Sequence, residues 1–178
     1  MAKFTKPFMQ ELRLSWQREF PFLQPASANI IPNRSQSITY TYHTGSATNL
    51  FYHFAILFTS KQPGEFTVEI FISDKPTQET MTICWPDDIK DRKLGQYRIG
   101  WFVDGKDHWW GLKDNVAESN AFMKSLDADF PSNLQMQKRQ YLWLPSSLDQ
   151  PLNSIINEAI ADLNQKMKDH VFPKLDIT

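Results

Sequence analysis

The apolar positions of this chain change period twice, from helical to strand and back, and the pattern marks out the predicted elements. Near the start, Phe8, Leu12, Trp16 and Phe20 fall four apart and form one stripe of a helix. Thr5 is placed to cap that helix, and Pro7 suits its first turn, where a missing N–H costs nothing. Pro21 ends it. Residues 24–34 carry Pro25, Pro32, Ser27 and two asparagines, and read as a loop.

The period then falls to two. Residues 37–43 are rich in Thr and Tyr, both good strand formers. Residues 50–59 are nearly all apolar, which predicts a central strand covered on both faces. Residues 65–73 alternate: Phe66, Val68, Ile70 and Ile72 face one way, and Glu65, Thr67, Glu69 and Phe71 the other. Residues 60–64 join these two strands as a tight hairpin. The pattern weakens over 74–95, which reads as a long excursion, and resumes in a strand at 96–102. Asp104 and Gly105 suit a turn, residues 116–126 a short helix and 141–144 a last strand.

The helical period returns at the end. Asp149 can cap a helix that Pro151 starts. Leu152, Ile155, Ile156, Ala159, Ile160, Leu163 and Met167 share one face, and Asn157, Glu158, Asp162 and Gln165 the other. Pro173 closes it. The pattern predicts an α+β fold: an antiparallel meander of four to five strands with N- and C-terminal helices packed on one face. Residues 1–178 read as a single domain.

Composition narrows the function classes. A chain of 178 residues with 41% hydrophobic residues can build its own core without disulfides or a structural metal. Its 13 Phe and 6 Trp exceed what a small core needs, which leaves aromatics for a cleft or surface. Net charge is -1, which argues against a nucleic-acid partner, because phosphate contacts need a concentrated positive field. The single cysteine, Cys84, excludes an internal disulfide and suits a reducing compartment. The first residues hold no apolar signal core, and the most apolar stretch, 50–58, is too short to span a bilayer. A cytoplasmic protein with no membrane partner is the expectation.

Most chemical motifs are absent. The chain has no Walker A loop, no Gly-rich dinucleotide turn, no H-E-x-x-H and no G-x-S-x-G. Its four histidines share no metal-ligand spacing, so no metal and no cofactor is expected. A hairpin closed at 60–64 sets Ala55 opposite Glu69 and His53 opposite Phe71. Pairing His43 with Leu50 then brings Tyr40 and Tyr42 onto the same face. That face offers Tyr40, His53, Glu69 and Phe71 as candidate ligand-binding residues. A histidine near a carboxylate can act as a base or anchor a ligand, and it can equally be an inert buried hydrogen bond. The other face, with Tyr52, Phe54, Ile56, Val68 and Ile70, reads as core.

The second constellation runs from Arg98 to Trp110. Arg98, Asp107, Trp109 and Trp110 combine charge with stacking surface in a polar turn, though tryptophans of this kind also plug sheet ends. Lys138 and Arg139 ahead of Tyr141 and Trp143 make a third, weaker one, explained as well by a solvated helix end. A metal-dependent nuclease would use acidic residues such as Glu65, Glu69 and Asp74, but Phe71 stands where its lysine belongs. Cys84 has no histidine near it in sequence to activate it.

The order of these elements is similar to that of an uncharacterised bacterial family of small α+β domains, a domain of unknown function. The similarity rests on the Arg98-Ile-Gly100 strand, the Lys106-Asp107-His108-Trp109-Trp110 turn and Phe172-Pro-Lys-Leu175 after the last helix. It implies the fold and carries no activity. Two function classes therefore stand open. One is a non-enzymatic binding module for a protein or small ligand. The other is a hydrolytic or nuclease-like enzyme working through His53 and Glu69 or through a metal.

Overall fold

The computed structural model describes residues 2–26, 38–45, 48–58, 65–76, 82–111, 139–143 and 151–177. Helix α1 covers Ala2–Glu19. Strands β1 (Gln24–Pro25), β2 (Ile38–His43), β3 (Phe51–Phe58) and β4 (Phe66–Ser73) follow. A 3-10 turn at Pro86–Ile89 leads to β5 (Gly95–Arg98), the short helix α2 (Ile99–Val103) and β6 (Asp107–Gly111). Strand β7 is Arg139–Trp143. Helix α3 (Leu152–Lys166), a π turn (Met167–Val171) and α4 (Phe172–Leu175) complete the described chain. The predicted hairpin at 60–64, the predicted helix at 116–126 and the Asp149 cap lie outside the described residues.

The architecture is α+β, with an N-terminal helix, a C-terminal helix and a mostly antiparallel sheet. The strands run in the order β1-β2-β3-β4-β6-β7, and β5 also pairs with β4. The strand count exceeds the expected four to five. The last pair departs from a meander: β7 runs parallel to β6, from Asp107 opposite Arg139 to Gly111 opposite Trp143.

Helices and sheet meet through aromatic residues. Phe8, Leu12, Trp16 and Phe20 of α1 are all buried, as their spacing predicts. Trp16 lies 4.8 Å from the Tyr40 ring, and Phe8 lies 4.6 Å from Phe66. Phe20 and Phe54 pack on Phe172. Ile155, Ile156, Ala159, Leu163 and Met167 supply the α3 stripe, while Leu152 at its start is exposed. One polar link sets the helix pairing. Asn164 accepts the Trp16 indole N–H at 2.8 Å and donates to Ser15 Oγ at 2.9 Å. Both halves of that buried amide are satisfied, as burial requires.

Three boundaries differ from the sequence expectation, each for a local reason. Helix α1 starts at Ala2, so Thr5 is not its cap and Pro7 lies inside it and forfeits one helical hydrogen bond. Buried Phe4, stacked on Phe8 at 5.4 Å, anchors the extra turn. Pro173 does not end the last helical run. The π turn widens the backbone before it, so Pro173 falls in the first turn of α4, where its missing N–H is no loss. The strand expected at 96–102 is half strand and half helix. Ile99, Trp101 and Phe102 are all buried, and a short apolar run of this kind has no period that separates the two.

That helix positions the site. Strand β5 leaves the edge of β4 after pairing Glu69 with Arg98, and β6 returns to the same edge with Phe66 opposite Trp110. The residues between are folded out as α2 and the Asp104–Gly105 turn, in which Gly105 takes φ +83. Gly100 lies against the Lys106 carbonyl and the His108 ring, so close that a Cβ there would collide with both.

Candidate functional site

The β3–β4 register is the one the hairpin predicts. Ala55 lies opposite Glu69, and His53 opposite Phe71. The β2–β3 register is shifted by one residue. His43 pairs with Phe51, because Thr44 closes the turn onto Leu50 through its backbone N–H at 3.0 Å and its hydroxyl at 2.9 Å. A one-residue shift turns every side chain over. Tyr40 and Tyr42 therefore sit opposite Phe54 and Tyr52 on the core face, and Thr41 takes the place beside His53. The expectation that Tyr40 lines the polar face is corrected accordingly.

The polar face holds the remaining candidates in two groups. His53 is fully buried, and its Nδ1 meets Thr41 Oγ1 at 2.9 Å. Burial pushes its imidazole down to about 4. Phe71 and Ala55 beside it form a small apolar cluster separate from the main core. His53 and Glu69 thus have different partners on neighbouring strands.

The second group is built around Glu69, which is fully buried. Its Oε1 accepts Gln96 Nε2 at 2.6 Å and lies 2.7 Å from Arg98 Nη1. Arg98 Nε faces Asp107 Oδ1 at 3.7 Å, and its guanidinium carbon stands 5.7 Å from the Trp109 ring centre. Asp107 in turn accepts the Trp109 indole N–H at 3.1 Å. Alternation along three strands produces this arrangement. Glu69 and Arg98 are register partners, Gln96 is two residues before Arg98 on the same face, and Asp107 and Trp109 are two apart on β6. The structure therefore brings together Glu69, Arg98, Asp107 and Trp109. It does not bring Trp110 with them. Trp110 faces the core, stacked on Phe66 at 5.1 Å with its N–H on Asp162 at 2.7 Å.

This polar group forms one wall of a cleft of about 260 Å³. Gln96, Arg98 and Asp107 line it, together with Ile83, Trp85, Tyr97 and Trp101. The Trp85 and Trp101 rings lie 6.1 Å apart at 20°, and Tyr97 packs edge-on to Trp101 at 6.5 Å. Tyr97 is held in place by its hydroxyl, which donates to the Lys93 carbonyl at 2.6 Å. The segment carrying Ile83 and Trp85 is tied to β5 by an isolated parallel bridge between Ile83 and Gln96. Gly95, at φ +151, lies too close to Cys84 Sγ and the Thr82 carbonyl for any side chain there.

Sequence reasoning missed Gln96, Trp85, Trp101 and Ile83. A tryptophan followed by proline inside an otherwise polar excursion was the available signal for Trp85. Three of the five large apolar residues exposed among the described residues, Ile83, Trp85 and Leu94, belong to these two bridged segments. Exposed apolar surface gathered at a cleft mouth marks an interaction site more often than scattered residues do.

Another cavity, about 370 Å³, lies between α1 and α3 beside Leu14, Arg18, Glu19 and Asn164. Its buried polar residues, Ser15 and Asn164, are already hydrogen-bonded. In the first cleft the Trp101 indole N–H is buried with no acceptor among the described residues, and Arg98 Nη1 lies by Glu69 outside good hydrogen-bond geometry. Cys84 is buried, and burial pushes its thiol up, away from the reactive thiolate. Among the described residues no group of three or more His, Cys, Asp or Glu is placed to hold a metal, and no helix is long and apolar enough to cross a membrane.

The chain matches no protein-family model, no curated protein and no solved structure.

Proposed function

We propose that this protein is a non-enzymatic binding module whose ligand enters the cleft between Trp85, Trp101 and the Arg98–Asp107 pair. One observation carries the reading. The cleft joins the exposed Trp85 ring and the buried Trp101 beside it to a charged group backed by a fully buried carboxylate. Ligand sites have this composition: an apolar wall and a few oriented polar groups. A guanidinium held between the Glu69 and Asp107 carboxylates is positioned before a ligand arrives, which lowers the cost of binding.

A hydrolytic reading through His53 and Glu69 draws no support from this cleft, because neither side chain lines it. Similarity to the uncharacterised bacterial family, centred on Arg98 to Trp110, adds interest to the same residues without adding an activity.

Crystals of the full chain soaked in single-ring polar fragments test the proposal. Fragment density bounded by Trp85, Arg98 and Asp107 is the expected result. Fragments bound elsewhere, with this cleft holding water alone, would overturn it.

A further inference from the structure

The unused hydrogen-bonding atoms of the cleft select a chemical class of ligand. Gln96 and Arg98 both reach the same Glu69 oxygen, at 2.6 and 2.7 Å, so the carboxamide and the guanidinium lie side by side. A carboxylate only accepts, so Gln96 must turn its nitrogen to Glu69 and its oxygen away. Among the described residues that oxygen has no partner, although Gln96 is 7% exposed and lines the cleft. Arg98 divides its donors in the same way. Nη1 lies against Glu69 and Nε faces Asp107, while Nη2 has no acceptor among the described residues, and the side chain is 25% exposed. The cleft wall therefore presents a fixed acceptor next to a fixed donor.

We infer that the ligand is an uncharged planar molecule with an amide-type edge, a carboxamide or lactam on a single ring. The inference rests on the cleft being the binding site. The ligand carbonyl accepts from Arg98 Nη2, its N–H donates to the Gln96 oxygen, and its ring lies against Trp85 and Trp101. Hydrogen-bond complementarity argues for neutrality on both sides. A carboxylate would accept from Arg98 Nη2 but brings no donor to the Gln96 oxygen, and an amidinium would donate to that oxygen but brings no acceptor to Nη2. Size argues for one ring, since about 260 Å³ is below the volume of sites that hold drug-sized ligands. A site whose buried polar atoms need both a donor and an acceptor discriminates strongly against ligands lacking either.

Three isosteric probes separate the possibilities: benzamide, benzoate and benzamidine. Each is titrated into the full chain, and the indole N–H signals of Trp85 and Trp101 are followed by NMR, assigned through Trp85→Phe and Trp101→Phe. Benzamide is expected to shift both signals saturably and to bind about tenfold tighter than either charged probe, the worth of roughly one good hydrogen bond. Gln96→Leu should bring benzamide down to the affinity of benzoate. Because Gln96 is buried, Trp85→Ala, at a ring 39% exposed, gives a second variant less damaging to the fold, and once its urea melt shows it folded it should weaken all three probes. If benzoate or benzamidine binds these indoles as tightly as benzamide, the amide class is wrong while the cleft reading stands. If none of the three moves either signal, both fall.

Discussion

Glu69 and Arg98 face each other across β4 and β5, with Nη1 2.7 Å from Oε1, one partner fully buried and the other reaching the cleft. The pair is a bracket: its inner half is inaccessible to water and its outer half lines a binding surface. Breaking it should be costly. Arg98→Met leaves a carboxylate in the interior with Gln96 as its described neutral partner, and should cost about 3–5 kcal/mol in urea denaturation. The double variant Glu69→Met with Arg98→Met removes the stranded charge and should recover most of that loss, because apolar pairs often replace buried ion pairs without penalty. A single-variant loss under about 1 kcal/mol would mean that the pair is solvated and fixes nothing.

Gly100 holds the two halves of the site together. A methyl group at this position would meet His108 Cγ at 2.7 Å and the Lys106 carbonyl closer still. Gly100→Ala should therefore push α2 away from β6 and destabilise the fold by about 1–3 kcal/mol, as overpacking does. Chemical shifts of Asp107 and Trp109 should move with it, since they follow the same turn. A stable variant with unchanged β6 shifts would contradict the close approach.

His53 gives the fold a pH signature. Its folded value of about 4 lies below the ordinary 6.5, so the folded state holds the neutral ring. Below pH 6.5 the unfolded chain takes up the proton first. The contribution is complete above that pH and is lost as pH falls towards 4, up to about 3 kcal/mol in all. Urea midpoints measured from pH 4 to 7 should fall more steeply for the wild type than for His53→Gln. His108, which burial also pushes down against the pull of Asp104 at 2.8 Å, contributes to both curves and cancels in the comparison. Parallel curves would contradict the buried neutral histidine.

The parts of this fold legible in the sequence are those a short-range rule decides. The β3–β4 register is the one that a tight hairpin expected at 60–64 predicts, and the stripes of α1 and α3 follow from helical spacing. The face of Tyr40 was not legible, because residues 38–43 alternate Thr with Tyr and both suit either side of a strand. The closing of Thr44 onto Leu50, through its backbone N–H and its hydroxyl, accompanies the register there. Arg98 and Asp107 could be read as one candidate segment, but their joining to Glu69 depends on α2 being folded out of the edge strand. Trp85 entered the site through a single bridge between Ile83 and Gln96, a contact that no periodicity announces.

The most direct measurement of the central claim is a titration of wild type and Trp85→Ala with whichever of benzamide, benzoate and benzamidine binds best. Trp85 is 39% exposed and stacks on Trp101, so its removal should cost about 1–3 kcal/mol, less than a fully buried tryptophan, with the fold checked by a urea melt before titration. Binding should nevertheless weaken by about tenfold or more, the loss of one aromatic wall. Equal affinity in the two proteins would place the ligand elsewhere and contradict the account.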